Sequence, residues 1–360
     1  MNIVIARGTI NPLEGKIGKV LSKKHTVISV SIYEPPENLK KCFKKSVYLL
    51  SQQEKDKQYN FYTKALSMYD MFKRRKELKN SLQHVDLTIG VSEPNIFVWY
   101  IFSFTQGKKI FFPYDIVKFR YKNPLRNKWY DILFERTNFK NADGILHKGP
   151  EDELDTFVNK PQLQFLPYCE KQNFVQSKRK ENDIHLVYVG LVYDNYRTQG
   201  EPLMDNFIKF AQQGFHVHIY PTAYNIVKKQ YQDVFTQHHN IHLHEPIYGQ
   251  QLKEEISKYH YGLYFLEFNE KIKDKWPKTV FGNKVSDYLE AGLPILTSRN
   301  LSFVSKIVEE NQFGIVIPTQ NISEIKTASY QEMQKKVLKN REFFTMEKHS
   351  DKLYQFLESV

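Results

Sequence analysis

The chain is poor in cysteine and has no long apolar run, and each absence excludes a class of protein. Cys42 and Cys169 are the only cysteines in 360 residues and lie far apart, so no disulfide framework is indicated and a reducing compartment is favoured. No segment approaches the ~20 apolar residues that a transmembrane helix requires. Residues 1–6 enter a strand-like Ile-Val-Ile run without the apolar core of a secretory signal. We therefore expect a cytoplasmic protein.

What the chain does contain is enough apolar and aromatic residues to form packed cores. Its hydrophobic content of 41% and aromatic content of 14% argue against disorder. At 360 residues, two domains are the default expectation.

The net charge of +12 implies an acidic partner, which is a phosphorylated ligand, a nucleic acid or an anionic membrane surface. The basic runs 40–45 and 73–79 are best explained as solvated faces. Together with the aromatic residues interleaved among them, they also fit a lipid headgroup layer. That second interpretation would place the protein peripherally on the inner face of the cell membrane.

Short apolar segments typical of strands alternate with amphipathic segments typical of helices, in two series. The first series covers residues 3–6, 26–31, 86–90, 109–112 and 144–146. The second series covers residues 184–189, 216–220, 241–243, 262–266, 295–297 and 314–317. This alternation is typical of parallel sheets with crossover helices, and two series favour two α/β domains.

The two series predict two Rossmann-like domains with parallel sheets facing a central cleft, where the strands end. We expect an N-terminal domain over residues 1–170 and a polar linker over residues 171–183. A second domain should follow over residues 184–325. A charged helical segment over residues 326–360 is expected to pack back on the first domain.

The most specific stretch is residues 283–296, with the sequence NKVSDYLEAGLPIL. Lys284 and Asp287 stand three apart and therefore share one face of a helix. Gly292 is typical of a helix end, and an apolar strand follows it. Because a loop should precede Lys284, that lysine lies near a helix N-terminus, which favours phosphate, while Asp287 offers an acceptor to sugar hydroxyls. This combination indicates a nucleotide-sugar site.

The same stretch resembles the donor-binding segment of GT-B glycosyltransferases of the family-4-like group (glycosyl transferases group 1). Asp287-Tyr288 falls on the Glu-Tyr of that group, and residues 291–294 fall on its Ala-Gly-x-Pro. The resemblance implies a GT-B fold, with Asp287 on the ribose and Lys284 on the diphosphate. The earlier glutamate of the group, which contacts the transferred sugar, falls near Thr279, so the sugar stays open.

The resemblance extends over nearly the whole chain with less specific matches. The Val-Tyr-Val-Gly of residues 187–190 and the following residues 193–200 are similar to the opening of the second domain of the group, where Arg197 is the best match for a second diphosphate cation. Residues 242–248 resemble the strand and loop whose backbone binds the base. The implied donor-binding residues are Gly190, Arg197, Tyr220, Ile247, Tyr248, Asn283, Lys284 and Asp287.

In the first half of the chain, Tyr114-Asp115 occupies the place of a His-Asp pair of the group. The resemblance implies that Asp115 orients the acceptor hydroxyl, although an aspartate that caps the next helix fits equally well. The implied catalytic residues are Asp115, Arg197 and Lys284. Fixed cations stabilise the charge that develops on a leaving diphosphate, so neither a metal nor a cofactor is expected.

Two other groups of residues leave alternatives open. His238, His239, His242 and His244 lie close in sequence, but no cysteine or aspartate completes a familiar metal-ligand spacing. The basic and aromatic stretch 120–130 is best explained as a helix packed by its aromatic rings. A surface for an anionic lipid carrier is the second explanation, and a nucleic-acid platform the third.

The resemblance implies a metal-independent hexosyltransferase that moves a sugar from a nucleotide-sugar donor to a glycan or lipid-linked acceptor with retention of configuration. Two alternatives remain. One is a glycosyltransferase that acts on DNA or protein, which the positive charge favours. The other is a non-catalytic GT-B-like scaffold, which Thr279 favours.

Overall fold

A computed structural model describes residues 1–50, 73–120, 124–150, 159–176, 183–192, 203–265, 276–317, 325 and 330–360. Contacts between Cα atoms divide the chain into two compact units. Unit 1 comprises residues 1–118, 123–166 and 349–360, and unit 2 comprises residues 119–122 and 167–348. Within the described part of the chain, no helix is long and apolar enough to cross a membrane.

Unit 1 is built on a seven-stranded sheet with the order β3-β2-β1-β4-β5-β6-β7. Every neighbouring pair in it is parallel. Its strands are β1 (Asn2–Arg7), β2 (Thr26–Tyr33), β3 (Lys45–Leu50), β4 (Leu87–Val91), β5 (Lys108–Phe112), β6 (Gly144–His147) and β7 (Gln162–Gln164). The central strands β1, β4 and β5 contain mostly buried apolar residues because helices cover both faces of a parallel sheet.

The helices of the first 166 residues connect these strands as crossovers. They are α1 (Pro12–Leu21), α2 (Glu37–Lys40), α3 (Arg75–Ser81), α4 (Asn95–Phe102), α5 (Val117–Arg120) and α6 (Pro124–Asn141). Helix α1 starts with a proline, whose missing N–H is not needed there. The Glu14 carboxylate in its first turn accepts the Asn11 N–H at 2.7 Å, which fixes the start of the helix.

Unit 2 is built on a six-stranded parallel sheet with the order β10-β9-β8-β11-β12-β13. Its strands are β8 (His185–Gly190), β9 (His216–Pro221), β10 (Ile241–Leu243), β11 (Tyr261–Tyr264), β12 (Ile295–Ser298) and β13 (Gly314–Ile317). Its helices are α7 (Leu203–Gln212), α8 (Tyr224–Gln230), α9 (Gln232–Gln237), α10 (Gly249–Ile256), α11 (Lys284–Glu290), α12 (Ser302–Glu310) and α13 (Tyr330–Asn340).

The last helix, α14 (Met346–Ser359), brings the end of the chain into unit 1. The Tyr354 hydroxyl donates a hydrogen bond of 2.6 Å to the Val20 carbonyl in α1. The Val360 side chain lies against Gly144, where an added Cβ would approach it to 2.7 Å. The C-terminal residues are thus part of the packing of the first sheet.

The prediction of two parallel α/β sheets is confirmed. Two strands were missed. Strand β3 follows the basic run 40–45, which was interpreted as a solvated helix face although only Glu37–Lys40 is helical. Strand β7 is a three-residue edge strand rich in glutamine, a composition that gives no strand signal. Much of the aromatic surface proposed beside the basic run lies outside the described residues.

Candidate functional site

Helix α11 is the element that carries the predicted donor site. It follows turns over residues 276–279, as the sequence predicts, and it begins at Lys284 and ends at Glu290. Gly292 has φ of 74°, a left-handed conformation that favours glycine, and the Leu293 N–H bonds the Tyr288 carbonyl at 2.9 Å. This closure turns the chain into β12. The predicted order of loop, helix, glycine and strand is confirmed.

Tyr288 fixes α11 to the second sheet. Its fully buried hydroxyl donates to the Leu263 carbonyl at 2.9 Å and accepts the Val189 N–H at 3.2 Å. Its ring packs so closely on β11 that a Cβ added to Gly262 would lie 2.3 Å from it. The side chains on either side of Tyr288 are therefore held at fixed positions relative to β8 and β11.

Lys284 and Gly190, two predicted donor-binding residues, are brought together. The Lys284 ammonium lies 3.8 Å from the centroid of the Tyr188 ring and 5.5 Å from that of Tyr264. It is 3.6 Å from where a Cβ on Gly190 would stand. Burial lowers the pKa of Lys284 to about 7, and the charge of Asp287 only partly opposes this. A bound anion would restore the full charge of the lysine.

Asp287 forms an ion pair that sequence reasoning missed. Its Oδ1 binds the Nζ of Lys253 in α10, and the same Nζ lies 3.6 Å from Oε2 of Glu290. The Lys253 side chain is 8% exposed, that of Glu290 is fully buried and that of Asp287 is 25% exposed. Asp287 is therefore the member of this group that solvent and ligands reach. Lys253 gave no signal because its role depends on the packing of α10 against α11.

The predicted base-binding segment connects β10 to α10. Ile247 is partly buried and Tyr248 is 65% exposed, directly before the helix begins at Gly249. Tyr220 at the end of β9 is buried instead. Its hydroxyl lies 2.7 Å from that of Tyr259 and donates to Glu255 at 3.2 Å, so it is engaged within the protein.

Three other predicted positions have different outcomes. Arg197 lies outside the described residues. The Thr279 hydroxyl donates to the Trp276 carbonyl at 3.2 Å, within the turn that precedes α11. Asn283 occupies the N-cap of α11 but makes no side-chain capping bond there.

In unit 1, Asp115 follows β5 and lies among charged and aromatic groups. The Lys148 ammonium is 3.7 Å from its Oδ1 and 3.6 Å from the centroid of the Tyr114 ring. The Arg7 guanidinium lies 4.1 Å from the same ring. Arg7 also binds the buried Glu14 at 2.6 Å. His147 ends β6, and both His147 and Lys148 are buried.

One face of the second sheet carries a cluster of imidazole rings, called here the histidine ladder. Parallel pairing puts the His185 position beside His216, and the His218 position beside His242. The rings are nearly parallel, with interplanar angles of 10° and 21° for these two pairs. The ladder consists of His185, His216, His218, His242 and His244.

The ladder rings are also joined by nitrogen–nitrogen hydrogen bonds. His218 bonds His185 at 2.8 Å through Nε2 and His244 at 2.9 Å through Nδ1. A separate hydrogen bond of 3.2 Å joins Nδ1 of His216 and Nε2 of His242. Among the described residues, no group of His, Cys, Asp and Glu side chains is arranged to hold a metal ion. His242 and His244, which lie close in sequence, both belong to the ladder, whereas their partners on β8 and β9 were missed.

Part of the chain is similar in sequence to a known protein family. Residues 198–355 match the family described as "Glucosyltransferase 3-like, C-terminal domain". The matched residues are less than half of the chain, and they are similar to this glucosyltransferase 3-like C-terminal domain. The match includes α10, α11 and every ladder histidine except His185, which precedes it. No curated protein sequence matches the chain.

Solved structures resemble the whole chain at low identity. A sucrose-phosphate synthase from Thermosynechococcus elongatus has a TM-score of 0.73 at 11% identity, covering 100% of this chain and 98% of its own. A structure described as "Trehalose-6-phosphate from E. coli bound with UDP-2-fluoro glucose" has a TM-score of 0.66 at 10% identity, covering 100% and 99%.

A third similar structure is the UDP-GlcNAc 2-epimerase from Neisseria meningitidis bound to UDP-GlcNAc. It has a TM-score of 0.58 at 14% identity and covers 100% of both chains. At such identities the likenesses establish the fold, which is GT-B with two Rossmann-like units, as predicted.

Proposed function

We propose that this protein is a glycosyltransferase that takes a sugar from a nucleotide-sugar donor bound by unit 2. The observation that carries the proposal is the grouping of Lys284, Gly190 and Asp287 around the buried Tyr288. Two of the similar structures have UDP-sugar ligands in their descriptions, which supports a donor of this class. The matched family description supports transfer of a sugar.

The chemistry of these residues suits a leaving diphosphate. As the bond between sugar and phosphate breaks, negative charge develops on the phosphate oxygens. The Lys284 ammonium, held against the Tyr188 ring, stabilises that charge without the reorganisation that water would need. Gly190 has no side chain, so a phosphate can approach the backbone closely at the end of β8. Arg197 supplies a second cation in this proposal.

Asp287 binds the ribose in this proposal. A carboxylate that accepts hydrogen bonds from two hydroxyls holds the nucleoside in one orientation. Ile247 and Tyr248 lie on the segment before α10 and contact the base. The proposal includes retention of the anomeric configuration and no requirement for a metal ion.

Unit 1 binds the acceptor in this proposal. Asp115 is held by Lys148 and lies next to Tyr114, which offers a hydroxyl and a ring surface to a sugar. A glycan or lipid-linked acceptor, cytoplasmic location and peripheral attachment to an anionic membrane surface fit the net charge of +12.

The decisive experiment is a screen of UDP-, GDP-, ADP- and CMP-sugars for nucleotide release, with melting-temperature shifts as an independent measure of binding. Asp287→Ala should weaken binding of the selected nucleotide diphosphate by ~10–100-fold, because a hydrogen bond to a charged group contributes about 1.5–3 kcal/mol. Asp233→Ala, an exposed carboxylate on α9, is the matched control and should change nothing. Unchanged affinity in Asp287→Ala would contradict the ribose assignment.

A further inference from the structure

Lys253 joins the two helices that hold the two ends of the proposed nucleoside site. It lies in the last turn of α10, the helix that begins directly after Tyr248. Its ammonium binds Asp287 and Glu290, which lie on one side of α11. We propose that Lys253 is a positioning residue that aims the Asp287 carboxylate at the ribose hydroxyls, an inference that rests on the proposed function.

The buried Glu290 explains why a lysine is needed at this place. Its Oε1 accepts the Glu170 N–H at 2.8 Å, and its Oε2 faces Lys253. A buried carboxylate without a cation costs several kcal/mol, so Lys253 is held at this position by Glu290. The position of Lys253 is therefore fixed before any ligand binds.

The fixed lysine constrains Asp287 in turn. One cation faces two carboxylates, so the group keeps a net negative charge, and Asp287 is its exposed member. Since Lys253 binds Oδ1, rotation of the carboxylate is restricted, and the side chain is 25% exposed. Preorganisation of this kind strengthens binding by removing side-chain freedom before the ligand arrives.

The test measures how much the ribose hydroxyls contribute to binding. The probes are the nucleoside diphosphate selected by the screen and its 2′,3′-dideoxy counterpart. In the unmodified protein the dideoxy probe should bind ~10–100-fold more weakly, since a charged hydrogen bond is lost. In Lys253→Met this ratio should fall to within about threefold while the affinity for the dideoxy probe stays nearly the same. Lys253→Arg keeps the charge and should restore most of the ratio.

A structural role alone predicts a different pattern. If Lys253→Met weakened both probes equally, or left the ratio unchanged, the positioning role would be wrong. Turnover provides a second readout: the donor KM should rise with little change in kcat. Lys306→Met removes an exposed lysine paired with Glu310 on α12 and is the matched control.

The experiment also distinguishes a variant that does not fold from a failure of the ribose assignment. If Lys253→Met does not fold, the double variant Lys253→Met with Glu290→Gln removes both buried charges and tests the same loss of orientation. If the unmodified protein itself shows no difference between the probes, the ribose assignment fails. In that case the proposed function is contradicted rather than the role of Lys253.

The histidine ladder carries a second, independent inference. Three rings joined by two N–H···N bonds have six ring nitrogens, and each bond holds one proton between two of them. The three rings therefore accept at most one extra proton with both bonds intact. By the same count, the pair His216–His242 accepts at most one extra proton while its hydrogen bond is intact. Beside the ladder, His260 Nδ1 accepts the His185 N–H at 3.0 Å, so its protonation there breaks that bond.

We infer that the ladder with His260 is a pH-sensitive lock on the outer strands of unit 2, which opens as these imidazoles are forced to accept protons. Of six rings, four must stay neutral for these hydrogen bonds to persist. In the unfolded chain all six accept protons near pH 6.5. The locked strands include β10, which leads directly to the proposed base-binding segment.

The surroundings of the ladder offer little to stabilise added charge. From α10 the groups that face it are Glu255, Tyr259 just after the helix, and Lys258, which binds Glu255 at 2.5 Å. Tyr220 stacks on His244, and Tyr330 of α13 meets His260 edge-on. Glu255, already paired with a lysine, is the one carboxylate facing the ladder among the described residues. The pKa of His218 is lowered to about 2 by burial and by the neighbouring rings, and those of His242 and His244 are also lowered by burial.

The direction of the pH effect follows from linkage. Because burial lowers the folded-state pKa values of His218, His242 and His244, the stability contribution of these rings is present above pH 6.5 and is lost as the pH falls below it. With up to four protons taken up on unfolding, the unfolding constant should rise by as much as about 10⁴-fold per pH unit just below pH 6. Urea unfolding of the full chain from pH 7.5 to 5 measures this slope.

Variants separate the ladder from the other histidines. The double variant His216→Gln with His242→Gln removes the hydrogen-bonded pair. It should reduce the pH slope of the unfolding constant by about one proton. His238→Gln with His239→Gln changes two loop histidines outside the ladder and should leave it unchanged. If the ladder variant does not fold, ¹⁵N NMR titration of the imidazoles in the unmodified protein serves instead. Titration of more than two of the six imidazoles near pH 6.5 in the folded protein would overturn the inference.

Discussion

The Lys284 ammonium lies 3.8 Å from the centre of the Tyr188 ring, next to the glycine that ends β8. An aromatic face attracts a cation but replaces water poorly, so the lysine keeps its place while its charge becomes costly. This relationship makes Lys284 sensitive to its ligand. A phosphate oxygen that arrives beside it supplies the counter-charge that burial has removed.

Binding of a nucleoside diphosphate should therefore weaken as the pH rises above 7. The pKa of Lys284 is lowered to about 7, so the unliganded protein loses this charge above that pH, and affinity should fall by up to about tenfold per pH unit. Calorimetry between pH 6.5 and 8.5 measures the effect. Lys284→Arg keeps its charge over this range and should bind with little pH dependence. A pH-independent affinity in the unmodified protein would show that Lys284 does not contact phosphate.

Gly190→Ala should damage the donor site more than the fold. Gly190 has φ of 128°, a conformation that costs other residues about 1–3 kcal/mol. The added Cβ would stand 3.6 Å from the Lys284 ammonium. Gly214→Ala is the matched control, since Gly214 has φ of 88° and open space around it. Both variants should lose similar stability in urea, and only Gly190→Ala should lose nucleotide affinity. Equal nucleotide affinities for the two variants would show that Gly190 is not part of the donor site.

Arg341→Met should destabilise unit 2 strongly. The Arg341 guanidinium donates to the carbonyls of Leu289 and Glu290 at 3.0 Å and of Val175 at 3.1 Å, and the residue is 6% exposed. Its loss takes a charged donor away from these three carbonyls, which should cost about 2–4 kcal/mol in the free energy of unfolding. Lys171→Met removes an exposed cation paired with Glu342 and should cost much less, because water screens this pair. Similar losses for the two variants would contradict this role of Arg341.

Arg7→Met should cost unit 1 more than Glu14→Gln does. The two side chains form a buried ion pair, and breaking such a pair costs about 3–5 kcal/mol. Without Arg7, the fully buried Glu14 carboxylate loses its cation. Without Glu14, the Arg7 guanidinium still has two partners, the Glu93 carboxylate at 3.5 Å and the Tyr114 ring. Glu77→Gln, at an exposed pair with Arg74, is the control. Thermal unfolding measures the stability of the three variants. A larger loss for Glu14→Gln than for Arg7→Met would show that an unpaired Arg7 is more destabilising than an unpaired Glu14.

The fold could be predicted from the sequence because central parallel strands are continuous apolar runs. Segments such as Ile3–Ala6 and the stretch after Gly292 give this signal clearly, and the turn at Gly292 marks where a helix has to end. Edge strands pack on fewer neighbours and so tolerate polar residues. Strand β3, which starts at Lys45, was therefore hidden by its own charge.

The site could be predicted only in part, because sequence spacing reports neighbours along one element. Lys284 and Asp287 are three residues apart and were found together. Lys253 is 34 residues from Asp287 and meets it only because α10 packs beside α11. The ladder shows the same limit. His242 and His244 alternate along one strand, whereas His185 joins them through the register of parallel strands.

The bonds from Arg341 have a consequence for how this protein can be divided. A fragment that stopped after β13 would contain every residue of the proposed donor site in unit 2, yet the end of α11 would lack the guanidinium that holds it. Residues 330–348, which carry no proposed ligand contact, are thus needed for α11 to keep its place. An exchange of donor specificity between related proteins should therefore transfer the segment around Arg341 together with α11.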